Sequence, residues 1–113
     1  MMPAKYRLRR RGDVAHVLSK GKKTPSGSVV LHWLPQTNSE VSQVAFTVSK
    51  KVGNSVQRHR VTRVLRHIMM TEITQLNNPK AIVVRALSNA ASTPTENLKR
   101  DIQTGISKVN ANV

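Results

Sequence analysis

The 113-residue chain predicts an α+β domain, a sheet backed by helices, in the order helix, two or three strands, helix, strand, helix. Three observations carry that prediction. Residues 26–35 ("SGSVVLHWLP") and 41–49 ("VSQVAFTVS") alternate with the period of a strand. Between Val61 and Leu76, apolar residues recur at helical spacing. Finally, "NNPKAIVVRAL" turns and then runs apolar from Ala81 to Val84, short enough for a buried strand.

Each element has its own signals. Residues 1–12 are a basic lead-in with weak periodicity, and the first six of them read as a disordered tail. Asp13 is placed to cap a short helix with Val14, Val17 and Leu18 as its apolar positions, and Gly21 is its natural stop. In the first strand, Val29, Leu31 and Trp33 share one face while Val30, His32 and Leu34 share the other. After a polar loop through Asn38 and Glu40, the second strand sets Val44, Phe46 and Val48 against Ala45, Thr47 and Ser49. One sheet face should be buried and the other left small, polar and accessible.

Asn54 or Ser55 can cap the long helix, which is expected to reach about Leu76. Its stripe of Val61, Val64, Leu65, Ile68, Met69, Ile73 and Leu76 faces a core, so His59, Arg60, Arg63, Arg66 and His67 fall outside. Arg58, in the first turn, points toward the sheet side. Thr93-Pro94-Thr95-Glu96 reads as a capping box opening a last helix with Leu98, Ile102, Ile106 and Val109 inward.

Composition bounds the function. Nineteen Lys and Arg against five Asp and Glu give a net charge of +14, and nucleic acid is the polyanion that most simply neutralises it. No apolar run approaches the ~20 residues that span a bilayer, so no membrane is expected as a partner. No apolar stretch of a secretory signal follows the basic N-terminus, and there are no cysteines; a cytoplasmic chain is the expectation. Asp13, Glu40, Glu72, Glu96 and Asp101 are scattered, which argues against a carboxylate cluster holding metal. His59 and His67 stand eight residues apart, too far along one helix to share zinc.

Residues 49–67 concentrate six Lys or Arg and two His with no acid. A solvated helix would ordinarily intersperse Glu with these bases. The turn Lys51-Val52-Gly53-Asn54 offers backbone N–H groups at a helix start, with Lys50, Lys51 and Arg58 around it. RNA suits this pattern better than DNA. The segment before the basic helix alternates as a strand, so a helix-turn-helix is missing.

The stretch "VAFTVSKKVGNSVQRHRVTRVLRHIM" resembles the signature of the bacterial ribonuclease P protein component. "GDVAHVLSKG" is similar to that family's first helix and "AIVVRA" to its last strand, so the likeness covers most of residues 7–107. The resemblance implies an α-β sandwich of order α-β-β-β-α-β-α, a ribosomal-protein-like domain with a left-handed β-α-β crossover. It implies the accessory subunit of a ribozyme, an endoribonuclease that removes the 5′ leader of precursor tRNA. Catalysis then belongs to the RNA subunit and the Mg²⁺ it holds, with one protein per RNA and no catalytic residue in this chain. Lys50, Lys51, Asn54, Arg58, His59, Arg60, Arg63 and Arg66 would engage the RNA subunit; Val14, Leu18, Val30, His32, Thr47 and Ser49 would line the leader cleft.

Three departures separate this chain from the family pattern. His59 stands where Asn is usual and Thr62 where Lys is usual, while the often aromatic cleft positions are Val14, Leu18 and His32. Leader contacts therefore rest on apolar packing and charge more than on stacking. Two other classes are compatible with the charge: a ribosomal RNA-binding structural protein and a protein-only nuclease.

Overall fold

The computed structural model describes residues 2–36 and 39–112. Three helices and four strands follow one another as α1 (Arg11–Lys20), β1 (Lys22–Ser26), β2 (Val29–Pro35), β3 (Gln43–Thr47), α2 (Ser55–Glu72), β4 (Lys80–Ala86) and α3 (Thr95–Ala111). The sheet order is β1-β2-β4-β3. β1, β2 and β4 pair antiparallel, whereas β3 lies parallel to β4, joined to it through α2.

This topology refines the two alternating strands of the sequence. β2 and β3 are not neighbours; β4, the apolar run, separates them and buries five of its seven residues in a row. Over that run the strand is flanked on both edges and covered on both faces, so it shows no polar alternation before Arg85. The loop expected through Asn38 lies outside the described residues at that position, while Glu40 is exposed.

One sheet face carries the main core. Leu31 and Trp33 of β2, Val44 of β3 and Ile82 and Val84 of β4 meet Val61, Leu65, Ile68 and Met69 of α2, with Leu98, Ile102, Ile106 and Val109 of α3 beside them. The inward stripes of both helices thus match their 3.6-residue periodicity. α2 ends at Glu72, short of the expected Leu76, and Ile73–Gln75 continue as one turn of 3-10 helix. Leu76 still packs on the core from beyond that turn.

Helix starts differ from expectation. α1 begins at Arg11 without a side-chain cap, so Asp13 sits in its first turn, where a carboxylate complements the helix dipole. Gly21 does end it, its N–H donating to the Val17 carbonyl. The box expected over Thr93–Glu96 does not form: Pro94 occupies the cap with no side-chain bond, and the Thr93 hydroxyl donates back to the Asn89 carbonyl at 2.7 Å. Proline has fixed the entry by itself.

β1, "KKTPS", carries no aliphatic side chain, yet Thr24 and Ser26 are buried and its register with β2 is complete from Lys22↔Trp33 to Ser26↔Val29. Thr24 accepts the Trp33 indole N–H at 3.0 Å. A two-residue turn joins the pair, and Gly27 takes φ +59 there, the left-handed backbone such hairpins need. Residues 1–6 were expected as a tail. Here Ala4–Tyr6 form a 3-10 turn, Met2 is 1% exposed in the core, and Leu8 N–H donates to the Val44 carbonyl at 3.0 Å.

The second sheet face is not open over its whole extent. α1 lies across it, and Val17 with Leu8 packs on Ala81 and Val83, flanked by Val14, Leu18, Leu34 and Ala45. The remaining row is Val30, Arg85 and Thr47, adjacent residues on neighbouring strands. An apolar stripe on a short basic helix needs cover, and the nearest apolar surface is this face.

Candidate nucleic-acid interface

The start of α2 is the best-organised feature of the surface. The Asn54 side chain accepts from the Gln57 N–H at 2.9 Å, and the Gln57 side-chain oxygen accepts from the Asn54 N–H at the same distance. Two of the helix's first free donors are thereby satisfied, which leaves the Ser55 and Val56 amides as the donors available to an anion. Gly53, at φ +156, brings the chain in so tightly that a Cβ there would press on the Gln57 side chain. Ahead of it, Lys50–Val52 form a 3-10 turn that exposes Lys50 and Lys51.

Beyond the turn, His59, Arg60, Arg63, Arg66 and His67 are all exposed along the outer face of α2. The helix's only acid, Glu72, is its last residue; it is buried and accepts from Gln103 Nε2 at 3.4 Å. No carboxylate therefore interrupts the cationic face. Arg58 behaves differently: it is half-buried, and its Nε is enclosed with no hydrogen-bond partner.

The residues expected to line a cleft separate into two groups. Val14, Leu18 and Thr47 are half-buried and Ser49 is exposed. Val30 and His32 retain only 6% and 3% of their surface, so the accessible cleft is narrower than two alternating strands suggested. The physical reason is the cover of α1 together with Arg85. Arg85 Nε donates to His32 Nε2 at 3.1 Å across the β2–β4 ladder. Accepting that bond requires a neutral imidazole with its proton on Nδ1, and Nδ1 is buried without a partner. Burial first, then the charges of Arg85 and Lys23, lower the His32 pKa below its usual 6.5.

Arg85 was the residue that sequence reasoning passed over. Its signal was present as parity: in "KAIVVRA" it falls on the same face as Ala81 and Val83, and it is the one charge in that strand after Lys80. A second basic surface opens at the other side of α1, a groove of about 560 Å³ whose lining includes Arg7, Arg9, Arg10, His16 and Gln43. Among the described residues, no group of three or more His, Cys, Asp or Glu side chains comes together as a metal site would require.

A small α+β domain with a capped arginine helix that exposes no acid, behind a glycine turn, has the make-up of the class of RNA-binding proteins. Residues 2–110 match the ribonuclease P family. Among relatives, the ribonuclease P protein component of Mycolicibacterium vanbaalenii is 34% identical, over 96% of this chain and 93% of that one. That of Corynebacterium diphtheriae is also 34% identical, over 97% of this chain and 98% of its own. The chain belongs to the ribonuclease P protein component family. The fold agrees: the Staphylococcus aureus RNase P protein superposes with a TM-score of 0.82 at 21% identity, covering 92% of this chain and 94% of that one. The Thermotoga maritima RNase P protein gives 0.79 at 18% identity, covering 90% and 96%.

Proposed function

We propose that this protein, as the ribonuclease P protein subunit, binds the catalytic RNA subunit through the start and outer face of α2 and holds the 5′ leader of precursor tRNA beside the second sheet face. The observation that carries the reading is the unbroken cationic face: Arg60, Arg63 and Arg66 are exposed and unaccompanied by any exposed acid on their helix. Phosphates along structured RNA present charge at a spacing such a row can follow, and each contact releases condensed counterions.

Lys50, Lys51, Asn54, Arg58 and His59 extend the RNA-subunit site around the turn. Val14, Leu18, Val30, His32, Thr47 and Ser49 form the leader side, with Val30 and His32 acting as its floor. Endonucleolytic cleavage is performed by the RNA subunit with its own Mg²⁺, and the protein supplies position and charge; one protein serves each RNA. A role as a ribosomal RNA-binding structural protein is not favoured, given the family of the chain.

Reconstitution with the cognate RNA at low Mg²⁺ tests the proposal. Release of mature tRNA and a separate leader, requiring both components, is expected. Cleavage by RNA-free protein would make it a protein-only nuclease, and exclusive recovery with ribosomal subunits would favour the structural alternative.

A further inference from the structure

We infer that Arg85 is a phosphate-contacting residue of the leader cleft and that His32 is the residue that positions it. The inference rests on the leader reading above and assigns that site an anchor.

Its first support is placement. Arg85 pairs with Val30 on one side and Thr47 on the other, so it lies at the middle of the one row of the second sheet face outside the apolar cluster under α1. A ligand lying on Thr47 beside that row meets the Arg85 side chain. With Val14 and Leu18 aliphatic and the His32 ring 3% exposed, stacking gives a single strand little hold in this cleft, and a fixed cation adds what apolar packing alone does not supply.

The second support is the state of the guanidinium. Arginine has five N–H donors, and the only hydrogen bond Arg85 makes among the described residues is from Nε to His32. Among the described residues no acid pairs with it. Asp101 accepts from the Ser28 amide and hydroxyl, and Glu72 accepts from Gln103. Half-buried arginine carries a desolvated charge, and an anion presenting two oxygens to its Nη groups is the complementary partner. A phosphodiester of the leader backbone has that chemistry.

The third support is His32. It is 3% exposed, one nitrogen accepts from Arg85, and the other is buried with no partner among the described residues. A core position that needed only volume would be better filled by an aliphatic residue, since an unmatched buried polar atom is costly. The imidazole is explained by what it does to its neighbour: tying Nε leaves the Nη edge pre-oriented and lowers the ordering entropy that a free side chain would lose on binding. A bound phosphate then meets a fork already set for bidentate contact.

The test uses the reconstituted holoenzyme and compares mature tRNA with precursor tRNA whose leader carries, one linkage at a time, a neutral methylphosphonate. In the wild type, one linkage should weaken precursor binding about tenfold, the scale of a charge-assisted hydrogen-bond pair. Arg85→Ala should weaken the all-phosphate precursor by a similar factor, and the methylphosphonate at that linkage should then cost nothing more. His32→Phe should reduce the same coupling, and His32→Gln, which keeps an acceptor near the Nε2 position, should restore it. Equal losses from Arg85→Ala on precursor and mature tRNA, or additive losses at every linkage, would overturn the assignment. A His32→Phe protein that keeps full coupling would remove His32 from it. If wild-type holoenzyme binds mature and precursor tRNA equally well, the leader reading itself fails. Should Arg85→Ala fold poorly, Arg85→Lys retains the charge without the Nε bond and should show partial coupling.

Discussion

Asn54 and Gln57 hold each other's backbone: each side chain accepts the other's N–H, both at 2.9 Å, at the point where the basic turn becomes α2. The reciprocal bond fixes the helix entry without using a charged residue, so Lys50 and Lys51 stay exposed. Asn54→Ala should lower stability by about 1 kcal/mol, as loss of an N-cap does. Because the same turn presents the Ser55 and Val56 amides, RNA-subunit affinity should fall more than for Asn54→Ser, which keeps a neutral cap acceptor and adds no charge that would repel phosphate. Thermal melts alongside filter binding check both; equal affinity in the two variants would detach the cap from the interface.

Arg60 and Arg63 are exposed, three residues apart on one helix face, with no acid nearby on that helix. Converting both to Ala should weaken RNA-subunit binding and flatten the log-log salt dependence by up to ~1 unit of slope for each phosphate that the variant leaves unneutralised. Binding titrations across a range of monovalent salt read this directly. An unchanged slope would place the RNA elsewhere. Folding should be little altered, since neither side chain enters the core and exposed substitutions usually fall within ~0.5 kcal/mol.

How far the sequence alone leads depends on which force decides each element. Val61, Leu65, Ile68 and Met69 announce α2 because burial enforces a 3.6-residue period, and the same holds for Leu98, Ile102 and Ile106 in α3. β1 escapes such reasoning. Its order comes from ladder bonds to β2 and from Thr24 meeting the Trp33 indole, neither of which leaves an apolar pattern. Capping boxes fared similarly, for Thr93–Glu96 has the motif and Pro94 overrides it, while Asn54–Gln57 forms the real one. The cationic helix face was legible as charge without acids. The state of the cleft was not, because the cover of α1 over Ala81 and Val83 and the hydrogen bond between His32 and Arg85 join residues far apart in the chain.

Asp101 reaches from α3 to the β1–β2 turn, accepting from the Ser28 amide at 3.0 Å and the Ser28 hydroxyl at 2.7 Å. Its backbone carbonyl also accepts from the Ser26 hydroxyl at 2.7 Å. Ser26 and Ser28 are buried, so removing the carboxylate leaves Ser28 donors without partners. Asp101→Ala should cost about 1–3 kcal/mol by denaturant titration. Asp101→Asn, which retains one acceptor oxygen, should cost less; equal losses would mean the turn is held by other interactions.

His32 gives stability a pH dependence. Desolvation, with the Arg85 and Lys23 charges adding to it, keeps its folded pKa below the 6.5 of an unperturbed imidazole. In the window between those two values the unfolded chain takes up a proton that the folded chain refuses, so stability falls as pH drops through about 6.5 and levels off below the folded value. Protonation would also remove the lone pair that accepts from Arg85 Nε, so the bond and the neutral state are lost together. Denaturant midpoints at about pH 7.5 and about pH 5.5 should therefore differ more in the wild type than in His32→Gln, which cannot titrate. A pH dependence identical in the two proteins would assign the effect to other groups and leave His32 a structural filler.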